Sequence, residues 1–151
     1  MSPHKFFKAP LKSHRVEGTG KPDATATAAM EITNALGLCM FLSLVTPLRT
    51  QNEYVEAVTG FPFGEEEAYN AGLRVYAIRQ AFNTREGIKL TDMDIADRAI
   101  GKPPLEEGPL AGVEIDGDKL IQNFVETLDM DPITGELSKE MQEKIGLKDW
   151  K

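Results

Sequence analysis

The segment from Glu65 to Asn83 constrains the fold more than any other stretch of the chain. Ala68, Ala71, Gly72, Val75, Ile78, Arg79 and Phe82 recur at the spacing of an α-helix and form one inner stripe. Tyr69, Leu73 and Tyr76 widen that apolar arc until the helix needs packing on two sides. Glu65, Glu66 and Glu67 follow the rigid turn Phe61-Pro62-Phe63-Gly64 and suit the positive end of the helix dipole. A helix of this kind demands helical partners.

The rest of the chain supplies them. Asp23 after Pro22 reads as an N-cap for a helix carrying Ala28, Ile32, Ala35 and Cys39 on one face. Gly37 interrupts that face, where a glycine costs about 1 kcal/mol against alanine unless the backbone turns sharply or approaches something closely. Pro47 closes the next apolar stretch. Thr50-Gln51-Asn52-Glu53 has the form of a capping box for a short helix through Tyr54, Val55 and Val58, with Gly60 as its stop. A weaker helix is expected from Thr91 to Ile100, opened by Thr91-x-x-Asp94 and ended by Gly101. Residues 101–117 read as an ordered crossing loop. Asp116 or Asp118 then caps a helix bearing Leu120, Ile121, Phe124, Val125 and Leu128, and Ser138 opens a last one through Met141 and Ile145, ended by Gly146.

No segment sustains strand alternation. The expected class is all-α, an irregular bundle of about five to seven helices with long ordered loops and an extended N-terminal arm. Residues 1–23, with Lys5, Lys8, Lys12, Arg15 and Lys21, form the basic arm or tail, and 24–151 the helical domain.

The 151 residues carry a net charge of −7, which argues against a phosphate-backbone binder, so nucleic acid is not an expected partner. The longest apolar run, Leu36 to Val45, falls far short of the roughly 20 residues a membrane span needs. One cysteine cannot form an intrachain disulfide and suits a reducing compartment, so a cytoplasmic protein is expected.

Few constellations carry chemistry. Both histidines, His4 and His14, lie in the arm, and no Ser/His/Asp grouping, HExxH or phosphate-cradling glycine loop is present. No catalytic acid or base is assigned. The run Asp129-Met130-Asp131-Pro132-Ile133-Thr134-Gly135-Glu136 is faintly like a calcium loop, but Ile133 replaces an oxygen ligand and the glycine is one position late. It reads as a turn. Cys39 taken alone is a small buried hydrophobe, a redox thiol or a metal ligand.

Its neighbours bear on that choice. Asn34-x-x-Gly37-Leu38-Cys39 resembles the Asp-x-x-Gly-Leu-Cys motif of the tungsten-dependent aldehyde ferredoxin oxidoreductase family. In order along the chain, Tyr54 to Gly60, Gly64-Glu65-Glu66-Glu67 and Arg79-x-x-Phe82-Asn83-x-Arg85-Glu86-Gly87 are similar to further motifs of that family. So are Gly108-Pro109-x-x-Gly112 and Asp131-Pro132-x-Thr134-Gly135 with Ile145-Gly146-Leu147, and the resemblance runs over about residues 24–151. Asn34 stands where the family usually has Asp, and Ala96 where it has proline.

The resemblance implies the C-terminal portion, or a split subunit, of an enzyme that oxidises an aldehyde to a carboxylate and passes electrons to ferredoxin. It implies Cys39 as the fourth thiolate of a 4Fe-4S cluster, with Asn34, Leu38 and Met40 against a tungstopterin (or molybdopterin). Both cofactors would be completed outside this chain, by the N-terminal catalytic portion of the same enzyme or by a partner subunit, so this chain alone is expected to be inactive. The competing reading is a non-catalytic helical interaction subunit that retains the family scaffold.

Overall fold

The computed structural model describes residues 16–147, apart from the side chains of 42–44. The expected arm therefore lies mostly outside the described residues. Those residues form α1 (Gly20–Ala35), α2 (Met40–Val45), α3 (Leu48–Thr59), α4 (Glu65–Arg85), α5 (Gly117–Thr127) and α6 (Lys139–Lys144), with 3₁₀ turns at Leu90–Asp92 and Asp97–Ile100. No strand occurs among them, only two isolated bridges, so the fold is all-α as the patterning requires.

The longest helix, α4, is the spine, and α1 packs most extensively on it. Their approach is set by small residues. Ala24, Ala28 and Ala29 of α1 are buried, and a Cβ added to Gly72 of α4 would overlap the carbonyl oxygen of Ala28. Leu73 and Ala77 face the rest of the core, where Leu73, Leu128 and Ile145 are the largest fully buried side chains. Tyr76 meets Phe124 of α5 edge to face, with centroids 5.8 Å apart.

This rotates the buried face of α4 relative to the expected stripe. Its buried residues are Ala68, Gly72, Leu73, Ala77 and Gln80, whereas Ile78 and Phe82 are exposed. The period was legible but the direction was not, because a tight Gly/Ala contact fixes which side meets α1, and apolar count does not. Arg79, expected on the inner stripe, instead keeps an exposed guanidinium that pairs through Nη1 with the nearly buried Glu31 carboxylate of α1. Burial raises the Tyr76 hydroxyl pKa above its ordinary value, with Arg79 opposing and Glu31 reinforcing the shift.

Polar ties then fasten the C-terminal third to the spine. Arg74 Nη1 donates to Ile145 O at 2.6 Å, and Gln80 Nε2 to Thr134 O at 2.7 Å. The start of α1 is tied to α5, where Asn123 Nδ2 donates to Val16 O and, at 3.2 Å, to Thr19 Oγ1. That anchor lets α1 begin at Gly20, before the expected Asp23 cap, so residues 20–23 are helical.

The caps divide by how local they are. Asp116 Oδ1 accepts from Lys119 N at 2.9 Å and Ser138 Oγ from Met141 N at 3.1 Å, as expected. The expected capping box at Thr50 does not form, because α3 already starts at Leu48 after Pro47; Glu53 instead accepts from Arg49 Nε at 2.8 Å. The expected helix from Thr91 to Ile100 is replaced by the two 3₁₀ turns. Thr91 N donates to Ile133 O and Ile115 N to Ile100 O, so tertiary backbone bonds outcompete a weakly favoured helix.

Gly72→Ala is expected to lower stability by about 1–3 kcal/mol, the usual cost of overpacking a tight contact. Urea denaturation measures it, and an unchanged midpoint would mean that α1 and α4 are not in contact there.

Candidate functional site

The resemblance singled out Asn34 to Met40, which spans the end of α1 and the start of α2. Leu38 N donates to Thr33 O at 3.1 Å and Gly37 N to Asn34 O at 3.0 Å, with Gly37 at φ 68°. This is a Schellman motif with Gly37 as its left-handed residue. No atom lies within 4 Å of a Cβ placed on Gly37, so sharp turning explains this glycine and close approach does not.

The turn changes the setting of Cys39. The four-residue spacing from Ala35 places Cys39 on the same helical face, but the helix stops at Ala35 and Cys39 lies in the connection before α2. Its side chain is exposed. Asn34 and Met40 are also exposed, and Leu38 is partly buried. Asn34 thus lies in the last turn of α1, Leu38 and Cys39 in the connection and Met40 at the start of α2. The burial of Cys39 among Leu36, Leu38 and Met40, one of the readings open from sequence, is not found.

Beside this turn lies a groove of ≈ 550 Å³ that sequence reasoning did not find. Leu36 and Leu38 form one wall, and Gln51, Tyr54, Val55 and Val58 of α3 form the other. The signal was present in Tyr54, Val55 and Val58, apolar at helical spacing on a segment with little to bury against. Val58 is 85% exposed, and Phe41 of α2 is 70% exposed. Such surface on adjoining elements marks a binding or docking region.

Other candidates resolve into structure. Among the described residues, no three His, Cys, Asp or Glu side chains are grouped to hold a metal ion. In the calcium-like run, Asp131 Oδ1 accepts from Thr134 N at 2.7 Å, Ile133 N at 2.9 Å and Thr134 Oγ1 at 3.0 Å. These bonds, from Thr134 N first, hold its carboxyl below the ordinary value of 3.8. Asp131 is therefore the acceptor of an Asx turn. No described helix is long and apolar enough to cross a membrane.

Because Cys39 is exposed, a thiol reagent at neutral pH is expected to label the native chain within a few-fold of the rate in denaturant. Protection by orders of magnitude would place the thiol in a closed interior.

No curated protein and no solved structure matches the chain. The family model for aldehyde ferredoxin oxidoreductase, domains 2 & 3, matches residues 2–147. The collinear motifs, the helical fold and this match over nearly the whole length agree: the chain belongs to the aldehyde ferredoxin oxidoreductase family, to the C-terminal region that this family model describes.

Proposed function

We propose that this chain supplies the Cys39 thiolate to a 4Fe-4S cluster and the turn residues Asn34, Leu38 and Met40 to a tungsten or molybdenum bis-pterin. The remaining ligands come from another portion of the enzyme or from a partner subunit. The observation that carries this reading is the exposed position of Cys39 after the Schellman turn, with apolar side chains exposed on α2 and α3.

The donor set fits a completing role and no larger one. A four-iron cluster is held by four thiolates, and this chain has one cysteine. The Schellman bonds fix the backbone up to Leu38, so the thiolate that follows needs little further ordering when a partner arrives. Leu38 and Met40, the chain neighbours of Cys39, carry apolar side chains that would exclude water once covered, which, with hydrogen bonding to the sulfur, tunes a cluster's potential. Asn34 offers both an amide donor and a carbonyl acceptor to a pterin ring, where a carboxylate would only accept.

When bound, the metal-pterin group supplies the two-electron oxidation of aldehyde to carboxylate, and the cluster relays electrons toward ferredoxin. No acid or base of this chain is assigned to that chemistry; its residues hold, orient and shield. The enzyme is read as cytoplasmic, in keeping with a thiolate kept reduced.

Mixing the chain anaerobically with the cluster-bearing partner, iron and sulfide tests this. The wild-type assembly is expected to show full iron-sulfur absorption, and Cys39→Ser to show less of it while still associating. Equal absorption would remove Cys39 from the ligands and favour a non-catalytic interaction subunit.

A further inference from the structure

The last described residue, Leu147, lines a groove on α4. Gly146 takes left-handed backbone at φ 81°, its N–H donates to Glu143 O at 3.0 Å, and Leu147 N donates to Gln142 O at 2.8 Å. This Schellman stop turns Leu147 into the core beside Ala77 and Leu137. The groove it borders has a volume of ≈ 370 Å³ and follows α4 past Ile78, Phe82 and Arg85. Ala77, Leu137 and Leu147 are buried, but Ile78 is 39% and Phe82 53% exposed. Both belong to the apolar arc that makes α4 need packing on more than one side, and no described residue covers them. The Arg85 guanidinium lies over the Phe82 ring, 4.9 Å from its centroid.

We propose that the segment Lys148-Asp149-Trp150-Lys151 folds back along α4 and that the Trp150 indole occupies this groove. Reach favours it: three residues span at most about 10 Å, and the residue they start from already lines the groove. Chemistry favours it too, because an indole supplies a large apolar surface for Ile78 and Phe82 and is the ring that best accepts a guanidinium such as that of Arg85. The charges match as well. The groove carries Arg85 and Glu136, and the segment brings Asp149 for the first and Lys148 or Lys151 for the second. The occupant is thus this chain's own C-terminal segment, and the docking does not depend on the role of Cys39.

Trp150 is the only tryptophan of the chain, so selectively excited tryptophan fluorescence of the full chain reads it alone. Acrylamide is expected to quench the native chain several-fold less than the urea-unfolded chain, with emission to the blue of it, at every protein concentration. Ile78→Asp and Phe82→Ala change exposed residues of the groove, and each is expected to move quenching and emission toward the unfolded values while far-ultraviolet circular dichroism stays unchanged. Should either variant lose its helical signal, nuclear Overhauser contacts in the wild-type chain decide, and they are expected between the Trp150 indole and the Ile78 and Leu137 methyl groups. Native quenching equal to that of the unfolded chain, a shielded Trp150 indifferent to both substitutions, shielding lost on dilution as a second copy would give, or absence of those Overhauser contacts would overturn it.

Discussion

The contact between Gly72 and the Ala28 carbonyl is the constraint on which the rest depends. Only a residue without a Cβ lets α4 come this close to α1, and the neighbouring alanines extend the approach along α1. With α1 seated on the spine, its C-terminal end and the turn that follows have a fixed place. Cys39 therefore owes its position to a glycine more than thirty residues away in sequence, across an interface whose closest approach is made by small side chains.

The same helix pair carries a polar clasp. The Glu31 carboxylate is nearly buried and pairs with Arg79, whose guanidinium stays largely in water. Exposed pairs contribute little, but a buried carboxylate left without its partner is costly, so the clasp acts as a condition on register more than as a source of stability. Arg74 and Gln80, which reach the carbonyls of Ile145 and Thr134, do the same for the C-terminal third. The result is a body organised around α4, with α2 and α3 at its margin, where Phe41, Tyr54 and Val58 remain exposed.

Much of the architecture was legible because its signals are local. Asp116 and Ser138 cap their helices with their own side chains, and Gly60, Gly101 and Gly146 take left-handed backbone at the stops. Signals settled by tertiary partners were not legible. The face of α4 was decided by the fit against α1, and the expected helix at Thr91 gave way to bonds from Thr91 N to Ile133 O and from Ile115 N to Ile100 O. At the candidate site, helical spacing carried Cys39 into α1, because a Schellman glycine and a tolerated mid-helix glycine look alike in sequence. The groove beside α3 escaped notice for a related reason: a concave apolar surface is a property of the assembled walls.

Family membership and the exposed turn support the proposal of a shared site, in which one sulfur would meet iron held mainly by other residues. Electron paramagnetic resonance of the assembled enzyme tests that claim most directly, because removing one thiolate from a four-iron cluster leaves a three-iron form with its own signal when oxidised. The account predicts that signal in assemblies made with Cys39→Ala and its absence from wild type. Identical four-iron spectra from the two would contradict it.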